Sequence, residues 1–121
     1  MILRFVKEGK SLTVTTEQTG TPTNANDLAE AILNIITSDS KRYGIYNYSN
    51  QGEATWYDFA KEIFAQADKD ILLYPIPTSE YPTPANRPFW SVLDCNLIQE
   101  TFGIEVLDWK KSLAVCLEKL G

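Results

Sequence analysis

Arg87 is the residue in this chain best suited to gripping an anion. It is the single cation in the stretch Thr78-Ser79-Glu80-Tyr81-Pro82-Thr83-Pro84-Ala85-Asn86-Arg87-Pro88-Phe89-Trp90-Ser91-Val92-Leu93-Asp94, and five of the six prolines fall between Pro75 and Pro88. Each proline fixes its own φ, removes a backbone donor and biases its predecessor toward extended geometry, so the stretch reads as a shaped, stiff loop. From such a loop a guanidinium can fork onto a diphosphate through charge-assisted bonds of roughly 1.5–3 kcal/mol each. The competing reading is a loop-closing salt bridge from Arg87 to Glu80 or Asp94.

A second candidate is the loop Gln18-Thr19-Gly20-Thr21-Pro22-Thr23, which leads into a helix. Backbone donors and the dipole at a helix N-terminus favour an anion, and the Thr21 and Thr23 hydroxyls can add donors. The alternative is local: Thr23 caps the helix and Pro22 fixes the turn. Tyr57 and Lys61 form a Tyr-x-x-x-Lys pair on a helical pattern, a spacing at which a lysine can lower a tyrosine pKa. At this composition such a pair arises by chance.

Other chemistries lack their residues. With no histidine, Ser-His-Asp, Cys-His and His-metal sites are excluded. Cys95 and Cys116 read as small buried hydrophobes rather than a disulfide or metal pair. Glu53 and Glu118 are the carboxylates one would nominate for magnesium, but the acidic residues show no ligand spacing, so no metal ligand is assigned.

The elements that must position these residues alternate between helix and strand, the pattern of α/β layers. Residues 1–9 read as the end of an amphipathic helix with Gly9 as C-cap, and its uncapped start at Met1 has the look of a cut chain. Leu12-Thr13-Val14-Thr15-Thr16 alternates as a strand. A helix from about Ala25 to Ile36 carries Leu28, Ala31, Ile32, Ile35 and Ile36 on one stripe, with Thr23 or Asp27 as N-cap. Tyr43-Gly44-Ile45-Tyr46-Asn47-Tyr48 is strand-like, followed by turn chemistry at Asn50-Gln51-Gly52.

The clearest helix starts at Thr55 with Asp58 completing a capping box, and buries Trp56, Phe59, Ala60, Ile63, Phe64 and Ala67. Ile71-Leu72-Leu73-Tyr74 follows as a short strand. Asp94 caps a helix carrying Leu97, Ile98 and Phe102 and closed by Gly103. Asp108 caps the last helix, with Trp109, Leu113, Cys116, Leu117 and Leu120 inward. The expectation is one α/β domain over residues 1–121, with short strands and about five amphipathic helices.

The formal net charge of −5 and scattered basic residues argue against a nucleic-acid or anionic-membrane surface. No apolar run approaches the ~18 residues of a membrane span, and no cleavage site follows the short N-terminal apolar stretch, so the chain is expected to be cytoplasmic.

Three ordered phrases carry a resemblance: Gln18-Thr19-Gly20-Thr21-Pro22-Thr23, then Gly44-Ile45-Tyr46-Asn47-Tyr48-Ser49-Asn50 before Trp56-Tyr57-Asp58-Phe59-Ala60-Lys61-Glu62-Ile63, then the proline-rich loop through Asp94. Together with Gly103-Ile104 and Trp109 they resemble the C-terminal half of the dTDP-4-dehydrorhamnose reductases, over nearly the whole chain. These are extended short-chain dehydrogenases. Their N-terminal Rossmann part binds NADPH and carries the catalytic Tyr-x-x-x-Lys, and the C-terminal part closes over the nucleotide-sugar.

The resemblance therefore implies a substrate-binding half, inert alone, taking a dTDP-sugar and working with a Rossmann half. No two glycines lie two apart, so the dinucleotide fingerprint is absent and no catalytic or cofactor residue is assigned. NADPH and, in some members, magnesium belong to the whole enzyme. Arg87, Thr21, Thr23, Gln18 and Tyr81 are the substrate-binding candidates. For Tyr81 stacking on thymine or a sugar face stands beside burial under the loop, and for Trp90 burial is preferred. The Tyr57–Lys61 helix falls later in the family's order than the catalytic one. A non-catalytic subunit similar to methionine adenosyltransferase regulatory subunits is the alternative, and strands left without partners invite homodimerisation.

Overall fold

Alternation at Leu12–Thr15 does produce a strand, β1, and its partner lies sixty residues on. The computed structural model describes residues 11–69, 71–80 and 83–120; the helix expected over residues 1–9 lies outside them. β1 pairs in parallel with β4 (Leu73–Ile76), with Leu12 opposite Leu73 and Val14 opposite Pro75. A parallel pair needs a crossover, and α2 (Trp56–Gln66) packs against both strands. β4 begins two residues later than the expected Ile71–Tyr74 and includes a proline. Leu12 and Thr16 donate to the carbonyls of Leu72 and Ile76, so the even-numbered residues of β4 face β1. Pro75 turns its donorless nitrogen to the open edge, where it costs no ladder bond.

The described residues gather into two compact units. The first comprises the residues through Gly20 together with Glu53–Ser91, and the second comprises Thr21–Gly52 and Val92 onward. In the first, the expected capping box of α2 is complete: Thr55 Oγ1 accepts from Asp58 N at 3.1 Å, and Asp58 Oδ2 accepts from Thr55 N at 3.0 Å. Ala60, Ile63 and Phe64 are buried. Trp56, expected in the core, is 54% exposed and meets Phe59 edge-to-face at 6.2 Å. It occupies the first position of the helix, one turn before the buried Ala60 on the same stripe.

β2 (Thr19–Gly20) pairs antiparallel with β3 (Ala54–Thr55), and on its other side Thr19 bridges Trp90. Thr19 N donates to Phe89 O and Ser91 N to Thr19 O, both at 2.8 Å. The far end of the proline-rich loop is thus stitched into a small ribbon.

In the second unit α1 (Ala25–Thr37) is the expected helix with a different cap. Asn24, neither Thr23 nor Asp27, stands at the N-cap, its side chain accepting from Asn26 N at 2.8 Å. Thr23 has turned its hydroxyl back onto Thr21 O. Of the apolar stripe only Ala31 is buried and Ile35 half-buried; Leu28, Ile32, Leu33 and Ile36 are exposed. α3 (Asn96–Phe102) ends on Gly103 in the left-handed region, φ 64°. Asp94 accepts from Asn96 N at 2.9 Å, although Cys95 occupies the cap position itself. Asp108 receives Lys110 N at 2.9 Å to open α4 (Trp109–Leu120).

Ala31, Cys95, Ile98, Ile104 and Val106 form this unit's core, with Ile35, Tyr46, Tyr48 and Phe102 packed against it. Trp109, Ser112 and Leu113 are buried on α4, Leu117 is half-buried, and Leu120 and Cys116 are exposed, against expectation. Cys116 and Leu120 share the helical stripe of Trp109, Ser112 and Leu113, so their exposure comes from the second half of α4 being uncovered by described residues rather than from their angle on the helix. The expected strand at Tyr43–Tyr48 does not form among the described residues. Its alternation survives: Tyr46 and Tyr48 are half-buried while Ile45 is 90% exposed, but no described strand pairs with it.

Candidate functional site

The proline-rich loop is anchored at both ends. At its start Thr78 N donates to Glu17 Oε2 at 2.8 Å, and the Thr78 and Thr15 hydroxyls lie 3.0 Å apart. Thr78–Glu80 forms a 3₁₀ turn, Thr83 Oγ1 donates to Ala85 O at 2.8 Å, and the Phe89–Ser91 ladder on Thr19 closes the far end. Arg87 stands two residues before that ladder and is exposed, and no described carboxylate of its unit pairs with it. The alternative Glu80 salt bridge is thus not made, and Asp94 is engaged at Asn96 N.

Gln18, half-buried, immediately precedes the same ladder residue Thr19, so the fold brings Gln18 and Arg87 to one ribbon. Trp90, expected to be buried, is 60% exposed, because its backbone pairs with Thr19 while its ring is left uncovered in the unit. Tyr81 lies outside the described residues.

Thr21 and Thr23 belong to the second unit, and the structure commits their hydroxyl protons. Thr21 Oγ1 donates to Gly52 O at 2.6 Å, and Thr23 Oγ1 donates to Thr21 O at 3.1 Å while accepting from Asn50 N at 3.3 Å. The N-terminus of α1 is filled by Asn24 and carries Asp27 in its first turn, a charge that complements the helix dipole and opposes an incoming anion.

Behind this loop is a network that turn composition did not reveal. Asn50 is 2% exposed. Its Oδ1 accepts from Asn24 N at 2.7 Å and its Nδ2 donates to Asp27 Oδ2 at 2.9 Å. Ser112 Oγ donates a short hydrogen bond to the same Asp27 oxygen, and Asn24 Nδ2 reaches Ser112 O at 3.1 Å. The 49–52 turn, α1 and α4 are therefore tied through one carboxylate. The available signal was the Ser-Asn pair closing an alternating run, but a surface turn has the same composition as a buried one.

An open cleft of about 300 Å³ in this unit is lined by Asp27, Glu30, Asn34, Tyr48, Glu105 and the Gly103–Leu107 segment. Burial, followed by the charge of Asp27 and smaller effects of Cys95 and Glu30, pushes the Tyr48 phenol above its usual range, so it stays a proton donor at neutral pH. Three carboxylates make the cleft hostile to a diphosphate. No group of three or more acidic or cysteine side chains among the described residues is arranged to hold a metal ion. Glu53 and Glu118 are both exposed. Tyr57 is half-buried and Lys61 exposed on α2.

This fold of short strands and amphipathic helices matches part of solved nucleotide-sugar enzymes. The reductase of Clostridium acetobutylicum superimposes with a TM-score of 0.91 at 37% identity, covering 98% of this chain and 42% of that one. The dTDP-4-dehydrorhamnose reductase of Bacillus anthracis, solved with NADP, gives 0.91 at 30% identity, covering 98% of this chain and 41% of that one. In sequence, the dTDP-4-dehydrorhamnose reductase of Sinorhizobium fredii is 37% identical over 120 residues, 92% of this chain and 40% of that protein. A UDP-glucuronic acid 4-epimerase of Bacillus cereus, at 13% identity and a TM-score of 0.74, shares the fold.

The family described as RmlD substrate binding domain matches residues 1–121, and the chain belongs to it. The chain spans about 40% of the length of the curated relatives it matches. No helix among the described residues is long and apolar enough to cross a membrane.

Proposed function

We propose that this chain is the substrate-binding part of an NADPH-dependent dTDP-4-dehydrorhamnose reductase and binds the dTDP-sugar. Hydride transfer to the C4 ketone requires a cofactor-binding part, since the chain has no glycine-rich turn to hold a dinucleotide. The chain alone takes no part in that step beyond holding the substrate. Tyr43–Tyr48, extended in its burial pattern and without a described partner strand, is suited to adding to that part's sheet.

The observation that carries the reading is Arg87: an exposed guanidinium, paired with no described carboxylate of its unit, on a loop pinned at Thr78 and at Phe89–Ser91. Its fork meets the diphosphate, with Gln18 on the same ribbon contributing an amide. In a titration of the chain with dTDP, Arg87→Ala weakens binding by about ten- to a hundredfold, the equivalent of one charge-assisted pair. Undiminished binding removes Arg87 from the site. The purified chain oxidises no NADPH in the presence of dTDP-4-dehydro-L-rhamnose, and turnover would overturn the assignment of a substrate-binding part.

A further inference from the structure

We propose that Thr21 serves the ligand as a hydrogen-bond acceptor, taking a proton from a hydroxyl of the sugar, and that the 21–24 loop makes no contact with phosphate. The proposal rests on the nucleotide-sugar reading above and assigns a part of the substrate to this loop. A threonine hydroxyl has one proton and two lone pairs. Thr21 donates its proton to Gly52 O at 2.6 Å, and nothing among the described residues donates to it, so its half-exposed oxygen presents lone pairs only. Thr23 is committed in both directions, donating to Thr21 O and accepting from Asn50 N.

The carbonyl that holds Thr21 is itself held. Gln51 N donates to Leu107 O at 2.8 Å and Trp109 N to Gln51 O at 3.0 Å. Gly52, at φ 103°, lies against Trp109 so closely that an added Cβ would come within 2.9 Å of the ring. Swinging the Thr21 proton toward a phosphate oxygen would give up this 2.6 Å bond to a fixed acceptor. The nearby charge points the same way: Asp27 in the first turn of α1 repels an anion, and the Asn24 side chain occupies the cap. A neutral O–H donor is the group this loop accepts, and the negative potential of Asp27 favours the approach of the positive end of its O–H dipole.

The test titrates the 121-residue chain with dTDP and with dTDP-L-rhamnose, following backbone amide shifts. Thr21→Val is expected to weaken dTDP-L-rhamnose about tenfold and leave dTDP unchanged, the loss of one hydrogen bond to the sugar. Thr21→Ser, which keeps the oxygen, stays within about twofold for both ligands. Retained dTDP binding by Thr21→Val also reports that the variant is folded. Equal weakening of both ligands would place a nucleotide or phosphate contact at Thr21 and overturn the proposal, as would no change in either. If the unaltered chain binds neither ligand, the nucleotide-sugar reading itself fails and this assignment fails with it.

Discussion

Replacing Asn50 by aspartate changes one donor into an acceptor at almost constant shape, in a site where the structure allows no second arrangement. In the native turn Asn50 Nδ2 donates to Asp27 Oδ2 at 2.9 Å, and Ser112 Oγ donates to that same oxygen. Asn50→Asp keeps the acceptor for Asn24 N but removes the donor to Asp27 and sets a second carboxylate against the first, with Asn50 itself 2% exposed. The lost charge-assisted bond is worth about 1.5–3 kcal/mol, and the like-charge contact between ionised carboxylates adds about 4 kcal/mol at an effective dielectric near 20. Fully ionised, the variant would lose about 6 kcal/mol or more; taking up a proton at pH 7 costs about 4 kcal/mol, which caps the destabilisation near that figure, a large part of the stability of a domain this size.

The pH dependence is the sharper signature. Burial and the facing Asp27 raise the pKa of the introduced carboxylate in the folded state. The folded state then binds more protons than the unfolded one, so stability is retained in acid and lost as pH rises through the raised value. Urea unfolding at pH 5 and pH 7.5 should show a deficit, relative to the unaltered chain, that is much smaller at pH 5. A deficit equal at both pH values would mean that Asn50 and Asp27 do not meet, and the network described here would be wrong.

Two further substitutions probe other parts of the second unit. Gly52→Ala introduces a side chain at φ 103° within 2.9 Å of Trp109 Cδ1, and should cost about 2 kcal/mol or more, read as a lowered urea midpoint and a shifted tryptophan emission. Tyr48, whose phenol is held above its usual range by burial and Asp27, favours the folded state while protonated. Stability should therefore fall as pH rises from about 10 through that raised value, and Tyr48→Phe should flatten the fall. An unchanged alkaline slope in the variant would show that Tyr48 does not contribute.

What the sequence made legible was whatever is settled within a few residues. The Thr55–Asp58 capping box, the Gly103 C-cap, the Asp108 cap and the alternation of β1 all depend on neighbours at i+2 to i+4, and all are found where the pattern placed them. Readings that depended on a distant partner fared differently. Trp56, Trp90 and Cys116 were read as buried because their stripe or loop was apolar, yet burial depends on what covers a face. Tyr43–Tyr48 has strand alternation but needs a neighbour to become a strand. Asn24 displaced Thr23 as the cap because the Thr23 hydroxyl is spent on Thr21 O and on Asn50 N, and Asn50 lies in a different stretch of chain. Asn50 and Ser112, 62 residues apart in sequence, could be joined only by the fold.

The central claim, that this chain carries the nucleotide-sugar contacts, is met most directly by titrating the isotope-labelled 121-residue chain with dTDP-L-rhamnose and mapping the perturbed amides. Saturable shifts centred on Gln18, Thr19 and the 87–90 segment are the predicted result. No saturable shift, or shifts confined to the acidic cleft of Asp27, Glu30 and Glu105, would contradict it.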